Sequence, residues 1–142
     1  MEDTISLLKE CDSGTKMAVA SIDEVLEYTK GQKLIEILKT AKEKHEAYGN
    51  RIHEYLLNIG SNDKDPSVMA KGMSWLKINM KMTMDEADST VAELITDGCN
   101  MGIESLKNYM HEYPDAEKEA KSIANEIIKT ENDMINSLKE FL

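Results

Sequence analysis

The chain is poor in residues that break helices. Its 142 residues include two prolines and seven glycines beside 31% charged residues. That composition disfavours a many-stranded β fold and favours long helices. Cysteine is equally scarce. Two thiols do not make a disulfide scaffold, and a reduced, cytoplasmic setting is the expectation. Basic charge is in deficit, with 17 Lys and Arg against 27 Asp and Glu and a formal net charge of −10. A nucleic-acid surface needs a net basic footprint and a membrane anchor needs a polybasic cluster, so neither partner is expected. No apolar run approaches the ~20 residues of a membrane-spanning helix. The opening Met1-Glu2-Asp3-Thr4 lacks the basic-then-apolar order of a signal peptide. Gly-rich phosphate loops, a nucleophile elbow and zinc-type cysteine pairs are missing as well. What is present is 41% hydrophobic residues, enough to bury a core in a single domain over 1–142.

Periodicity and punctuation predict four long helices, over about 3–28, 32–59, 84–112 and 115–141. Leu34, Leu38, Ala41, His45, Tyr48, Ile52, Tyr55 and Ile59 recur at spacings of three and four, one buried seam of a helix. Ile95, Cys99, Gly102, Leu106, Tyr109 and Tyr113 form a second seam. A third runs through Ala120, Ala124, Ile127, Glu131, Met134, Leu138 and Phe141. Thr29 with Gln32, and Thr83 with Glu86, read as capping boxes opening the second and third helices. Tyr113-Pro114-Asp115 separates the last two, since a helix seldom continues through the residue before proline. Short loops make helices one and two, and helices three and four, antiparallel neighbours.

Between these hairpins lies Gly60 to Thr83. A helix of ~26 residues is ~39 Å long at 1.5 Å per residue, and this connection is long enough to cross it. Within it Ser67 to Lys81 reads as a short helix with Lys71, Lys77 and Lys81 and no acid, a basic crossover laid on an acidic bundle. A docking surface for an acidic partner is the alternative. The hairpins also resemble each other weakly. A shift of 86 lays Ile52-His53-Glu54-Tyr55-Leu56 on Leu138-Lys139-Glu140-Phe141-Leu142 and His45 on Glu131. A slightly longer shift lays Cys11-Asp12-Ser13-Gly14 on Cys99-Asn100-Met101-Gly102.

Two similar hairpins joined by a long connection are the layout of the ferritin-like superfamily. Three patches, Leu7 to Gly14, Met69 to Lys77 ("MAKGMSWLK") and Asp97 to Gly102, carry a resemblance to a bacterial ferritin-like four-helix-bundle family of unknown function. The resemblance implies an all-α four-helix bundle of two antiparallel hairpins with a helical crossover. A ferritin-like di-iron enzyme takes a Glu from each of two helices and a Glu-x-x-His from each of the others. The three histidines here do not fit, because Lys42, Asn50 and Asn108 precede His45, His53 and His111 by three, and Glu131 is followed by Met134. The seams of helices one and three present Gly14, Ala18, Gly102 and Leu106 where inward carboxylates are required. The usual di-iron centre is therefore not expected, and ferroxidase, peroxidase and oxygenase chemistry lose their usual basis with it.

His45 and Glu131 both fall on seams. A buried carboxylate without a partner is costly, so a His45–Glu131 hydrogen bond in the core is the favoured reading. A nonstandard ligand set of His45, Glu131 and Tyr48 for iron or manganese is the alternative. Met80, Met82 and Met84 with Cys11 and Cys99 would suit Cu(I), but residues two apart on a helix face nearly opposite ways. Ten methionines more readily fill core gaps. Cys11 and Cys99 read as small seam residues rather than a redox pair, and Tyr48, Tyr55, Tyr109 and Tyr113 as core edges whose hydroxyls reach polar partners. No catalytic set and no cofactor is expected. The leading function is a non-enzymatic interaction module, self-associating as a homodimer or binding an unidentified protein. The alternatives are a degenerate metal-handling or stress protein, and a small-ligand binder using room left by Gly14, Ala18, Gly98 and Gly102.

Overall fold

Each long periodic stretch is a helix, and the breaks fall at Gly31, Gly60 and Pro114. The computed structural model describes residues 1–61 and 87–142. Among these are four α-helices, α1 (Glu2–Leu26), α2 (Gln32–Asn58), α3 (Ala87–Glu112) and α4 (Lys118–Leu138), and a closing 3-10 turn over Lys139–Phe141. The crossover helix expected over 67–81, the Thr83–Glu86 cap and Met80, Met82 and Met84 lie outside the described residues. α1 packs along α2 and α3 along α4. α1 also lies beside α3, and α2 beside α4.

Side-chain contacts fix the directions. Ile22 and Val25 late in α1, Leu34 and Leu38 early in α2, Val91 and Ile95 early in α3 and Leu138 at the end of α4 share one apolar cluster. Leu7 and Leu8, Ile52 and Leu56, Ile103 and Leu106, and Ala120 and Ile123 share the other. α2 therefore ends at one end of the bundle and α3 begins at the other, with α1 parallel to α4. Burial at the usual ~25 cal/mol per Å² of apolar surface makes these two clusters the main stabilising element.

The helix ends show how the loops are held. α2 stops in a Schellman arrangement. Gly60 takes a left-handed φ of +77°, and the Ser61 amide donates 2.8 Å to the Leu56 carbonyl. The expected Thr29–Gln32 capping box does not form. The Thr29 hydroxyl turns back to the Val25 carbonyl at 2.7 Å, closing α1, which ends at Leu26 rather than Tyr28. Gly31 is the N-cap of α2, and its loop is capped from across the bundle. The Asp88 carboxylate in the first turn of α3 accepts from the Lys30 and Gly31 amides, both at 2.8 Å. The other hairpin mirrors this. Asp3 accepts from the Asp115 amide at 3.0 Å, and the Thr4 hydroxyl accepts from the Glu117 amide at 2.7 Å. Glu117 is the N-cap of α4, which starts at Lys118 rather than Asp115 because residues after Pro114 form a turn first.

Candidate functional site: a buried polar layer at mid-bundle

Between the two apolar clusters the helices turn polar side chains inward. α1 contributes Asp12 and Thr15, α2 contributes His45, and α4 contributes Thr130 and Glu131, all buried. The α3 position facing Glu131 is Gly102. His45 and Glu131 meet as their seams predict. His45 is 1% exposed and its Nε2 lies 3.3 Å from Glu131 Oε1. The other ring nitrogen, Nδ1, is 2.7 Å from the Ala41 carbonyl. A carbonyl only accepts, so Nδ1 carries a hydrogen and donates it. That bond fixes the ring against its own helix and aims Nε2 at α4.

Glu131 fills the notch that Gly102 leaves. A Cβ at Gly102 would stand 2.5 Å from Glu131 Oε2, so the absence of a side chain there is what admits the carboxylate. Oε2 is buried and has no hydrogen-bond partner among the described residues. The expected interior space for a small ligand is not found at these glycines. Gly14 and Gly98 are exposed, with nothing within 4 Å of an added Cβ, and the Gly102 notch is occupied by protein.

The inward face of α1 differs from expectation too. Gly14 faces outward and Asp12 faces inward at 1% exposed. Its Oδ2 is 2.6 Å from Lys16 Nζ one turn on, and the Thr15 hydroxyl donates 2.8 Å to the Asp12 carbonyl. Thr15 packs against Gly49 of α2, whose Cβ would sit 3.5 Å from its hydroxyl oxygen. Thus α1 does present an inward carboxylate. The spacing carries the signal, since Asp12 follows Leu8 by four and Thr15 follows Cys11 by four, whereas the Cys-x-x-Gly spacing points to Gly14.

The remaining candidates have other partners. The Tyr48 hydroxyl pairs with Thr130 Oγ1 at 2.9 Å and reaches the Glu126 carbonyl at 3.3 Å, on the rim of the layer. Tyr55 donates to the Glu117 carboxylate, and Tyr109 stacks on Tyr113 with ring centroids 6.4 Å apart. Both cysteines are buried free thiols. Burial pushes Cys11 up to about 12, helped by Glu10 and Asp12. Burial, then the charge of Glu131, pushes Cys99 up as well, and its thiol lies 4.0 Å from the Met134 sulfur. Thiols in this state are packing groups, because the nucleophile and metal ligand is the thiolate.

Among the described residues, no three of His, Cys, Asp and Glu come together as a metal-binding group, and no helix is long and apolar enough to cross a membrane. The layer ties α2 to α4 through the His45–Glu131 contact. Comparison with protein-family profiles, with curated proteins and with solved structures finds no match to this chain.

Proposed function

We propose that this chain is a ferritin-like helical bundle that acts by association, as a homodimer or with a protein partner, and not through a reaction centre in its interior. The observation carrying this reading is His45. It is the one buried imidazole of the described residues, and both its nitrogens are committed inside the protein, to Ala41 and to Glu131. A general base or nucleophile activator needs a free nitrogen within reach of a substrate proton. The protonated state of Cys11 and Cys99 supports the same conclusion. Ferritin-like affinity is supported by the helix directions. α2 and α3 run parallel, with the end of one and the start of the other at opposite ends of the bundle, as the corresponding helices do in that superfamily.

The test is elemental analysis of freshly purified protein together with its mass in solution across a concentration series. The reading expects no stoichiometric metal and a discrete dimer or partner complex. One metal ion per chain, or a strict monomer at high concentration with no recoverable partner, refutes it.

A further inference from the structure

Building on the associative reading above, we propose that the α2–α4 side of the bundle is where a second copy of this chain docks, related to the first by a two-fold axis running along the groove between these helices. Charge is divided between the sides of the molecule. α1 carries six acids and two bases and α3 five acids and one base, whereas α2 carries four acids and five bases and α4 four acids and three bases. α1 lies beside α3 and α2 beside α4. The net charge of −10 is therefore concentrated on one side, and the opposite side is balanced. Two copies carrying this charge repel each other, and they approach with least repulsion through their balanced sides.

The balanced side is bridged at its ends and open between them. Toward the end of α2, Arg51 pairs with Glu126 at 2.9 Å and Tyr55 donates to the Glu117 carboxylate. Toward its start, Lys33 pairs with Glu140, just beyond α4, at 2.7 Å. Between these bridges α2 and α4 enclose a groove of about 360 Å³ with Ile37, Ala41 and Met134 along its floor. Lys44 stands on the α2 wall and Asp133 on the α4 wall. The two share one height along the bundle, since His45 and Glu131 beside them are in contact. Lys44 forms no ion pair among the described residues, and Asp133 has only the exposed Lys129 one turn away. A two-fold axis along the groove preserves height and sets the α2 wall of one copy opposite the α4 wall of the other. Lys44 then meets the partner's Asp133, and the contact occurs twice in the dimer. An axis across the helices would instead set α2 on α2 and α4 on α4, which pairs like with like.

The test is the dimer dissociation constant, by sedimentation equilibrium, of the full chain, of Lys44→Glu, and of Lys44→Glu combined with Asp133→Lys. Both residues are exposed, so these changes spare the core. Lys44→Glu turns two attractions across the axis into two repulsions and is expected to weaken the dimer by about tenfold or more. The double variant restores opposite charges and should recover most of that loss. Weakening that the double variant does not reverse overturns the proposed axis. A dimer indifferent to Lys44→Glu overturns the α2–α4 face and leaves the associative reading standing. A wild type that is monomeric but forms a complex with another protein does the same, whereas a strict monomer with no partner overturns both.

Discussion

Gly98 and Gly102 sit one turn apart in α3, and alanine should act on them in opposite directions. An alanine in a helix interior is worth roughly 0.5–1 kcal/mol over glycine, through the backbone entropy it removes from the unfolded chain. At Gly98 the new Cβ meets nothing within 4 Å, so this gain is unopposed. At about 2–4 °C per kcal/mol for a chain of this size, the midpoint should rise by ~1–4 °C. At Gly102 the same gain is set against a Cβ placed 2.5 Å from Oε2, 3.2 Å from Cδ and 3.3 Å from Oε1 of Glu131. The carboxylate is the end of a flexible side chain, but it is buried and bonded to His45, so moving it breaks that bond. Overpacking costs about 1–3 kcal/mol, and disturbing a buried pair adds up to ~3 more. The net is a loss of roughly 1–5 kcal/mol, or ~2–20 °C. Circular dichroism melts of the two variants beside wild type read this directly. Their difference cancels the propensity term and isolates the Gly102–Glu131 contact. If Gly102→Ala rises in step with Gly98→Ala, the carboxylate is not held in the notch and the account of the polar layer fails.

The capping contacts give two further expectations. Asp88→Ala removes the acceptor for two amides of the first loop and should cost about 1–2 kcal/mol in urea unfolding; an unchanged midpoint would show the loop is closed by other means. Thr4→Val keeps the shape at a fully buried position but strips the acceptor from the Glu117 amide, for a loss of ~1–3 kcal/mol that Thr4→Ser should largely restore. Both thiols should be silent to a thiol-reactive dye at pH 8 in the folded protein and react fully once it is unfolded. The raised thiols also set an alkaline trend. The folded state holds these protons more tightly than the unfolded chain, whose thiols titrate near ~8.5, so their contribution is complete below that pH. It declines as pH rises toward the Cys11 value of about 12, and Cys11→Ala should flatten that limb.

The helices were legible because their seams are regular over many turns. Leu34, Leu38, Ala41, Ile52, Ile95, Cys99, Leu106, Ala120, Ala124, Ile127, Met134 and Leu138, named from spacing, are buried, Tyr48, Tyr55, Ile59, Tyr109 and Tyr113 are half-buried at the edges, and the His45–Glu131 pair follows from two such seams. The helix ends were less legible, for a physical reason. Thr29 and Gln32 satisfy a local rule, but the Thr29 hydroxyl turns back to Val25 and the loop amides of Lys30 and Gly31 are held by Asp88, fifty-eight residues away from Lys30 in sequence, a contact of which local spacing carries no trace. Asp12 was missed differently. Its position is inward, but an acid beside a cysteine and a small residue reads as the edge of a solvent face until the burial of Leu8 and Thr15 fixes the rotation of α1.

The weak internal repeat gains meaning from these same contacts. When two halves of a chain are related by an approximate two-fold axis, a residue touches its repeat-mate only where both lie near that axis. His45 and Glu131 are repeat-mates, eighty-six residues apart, and they touch at mid-bundle. Off the axis the relation becomes reciprocal, with the first turn of each hairpin holding the loop of the other. Asp3 and Thr4 of α1 hold the amides of Asp115 and Glu117, and Asp88 of α3 holds those of Lys30 and Gly31. The correspondence breaks at the far ends. Leu56 is fully buried in α2, whereas its mate Leu142 is 60% exposed beyond the end of α4. What the two hairpins share is the pair of loop clamps, the contacts through which one hairpin constrains the other. At the axis, two identical side chains would either repel as like charges or compete as like donors. An acid facing a base removes both conflicts, and at mid-bundle the two halves meet through unlike side chains, His45 and Glu131.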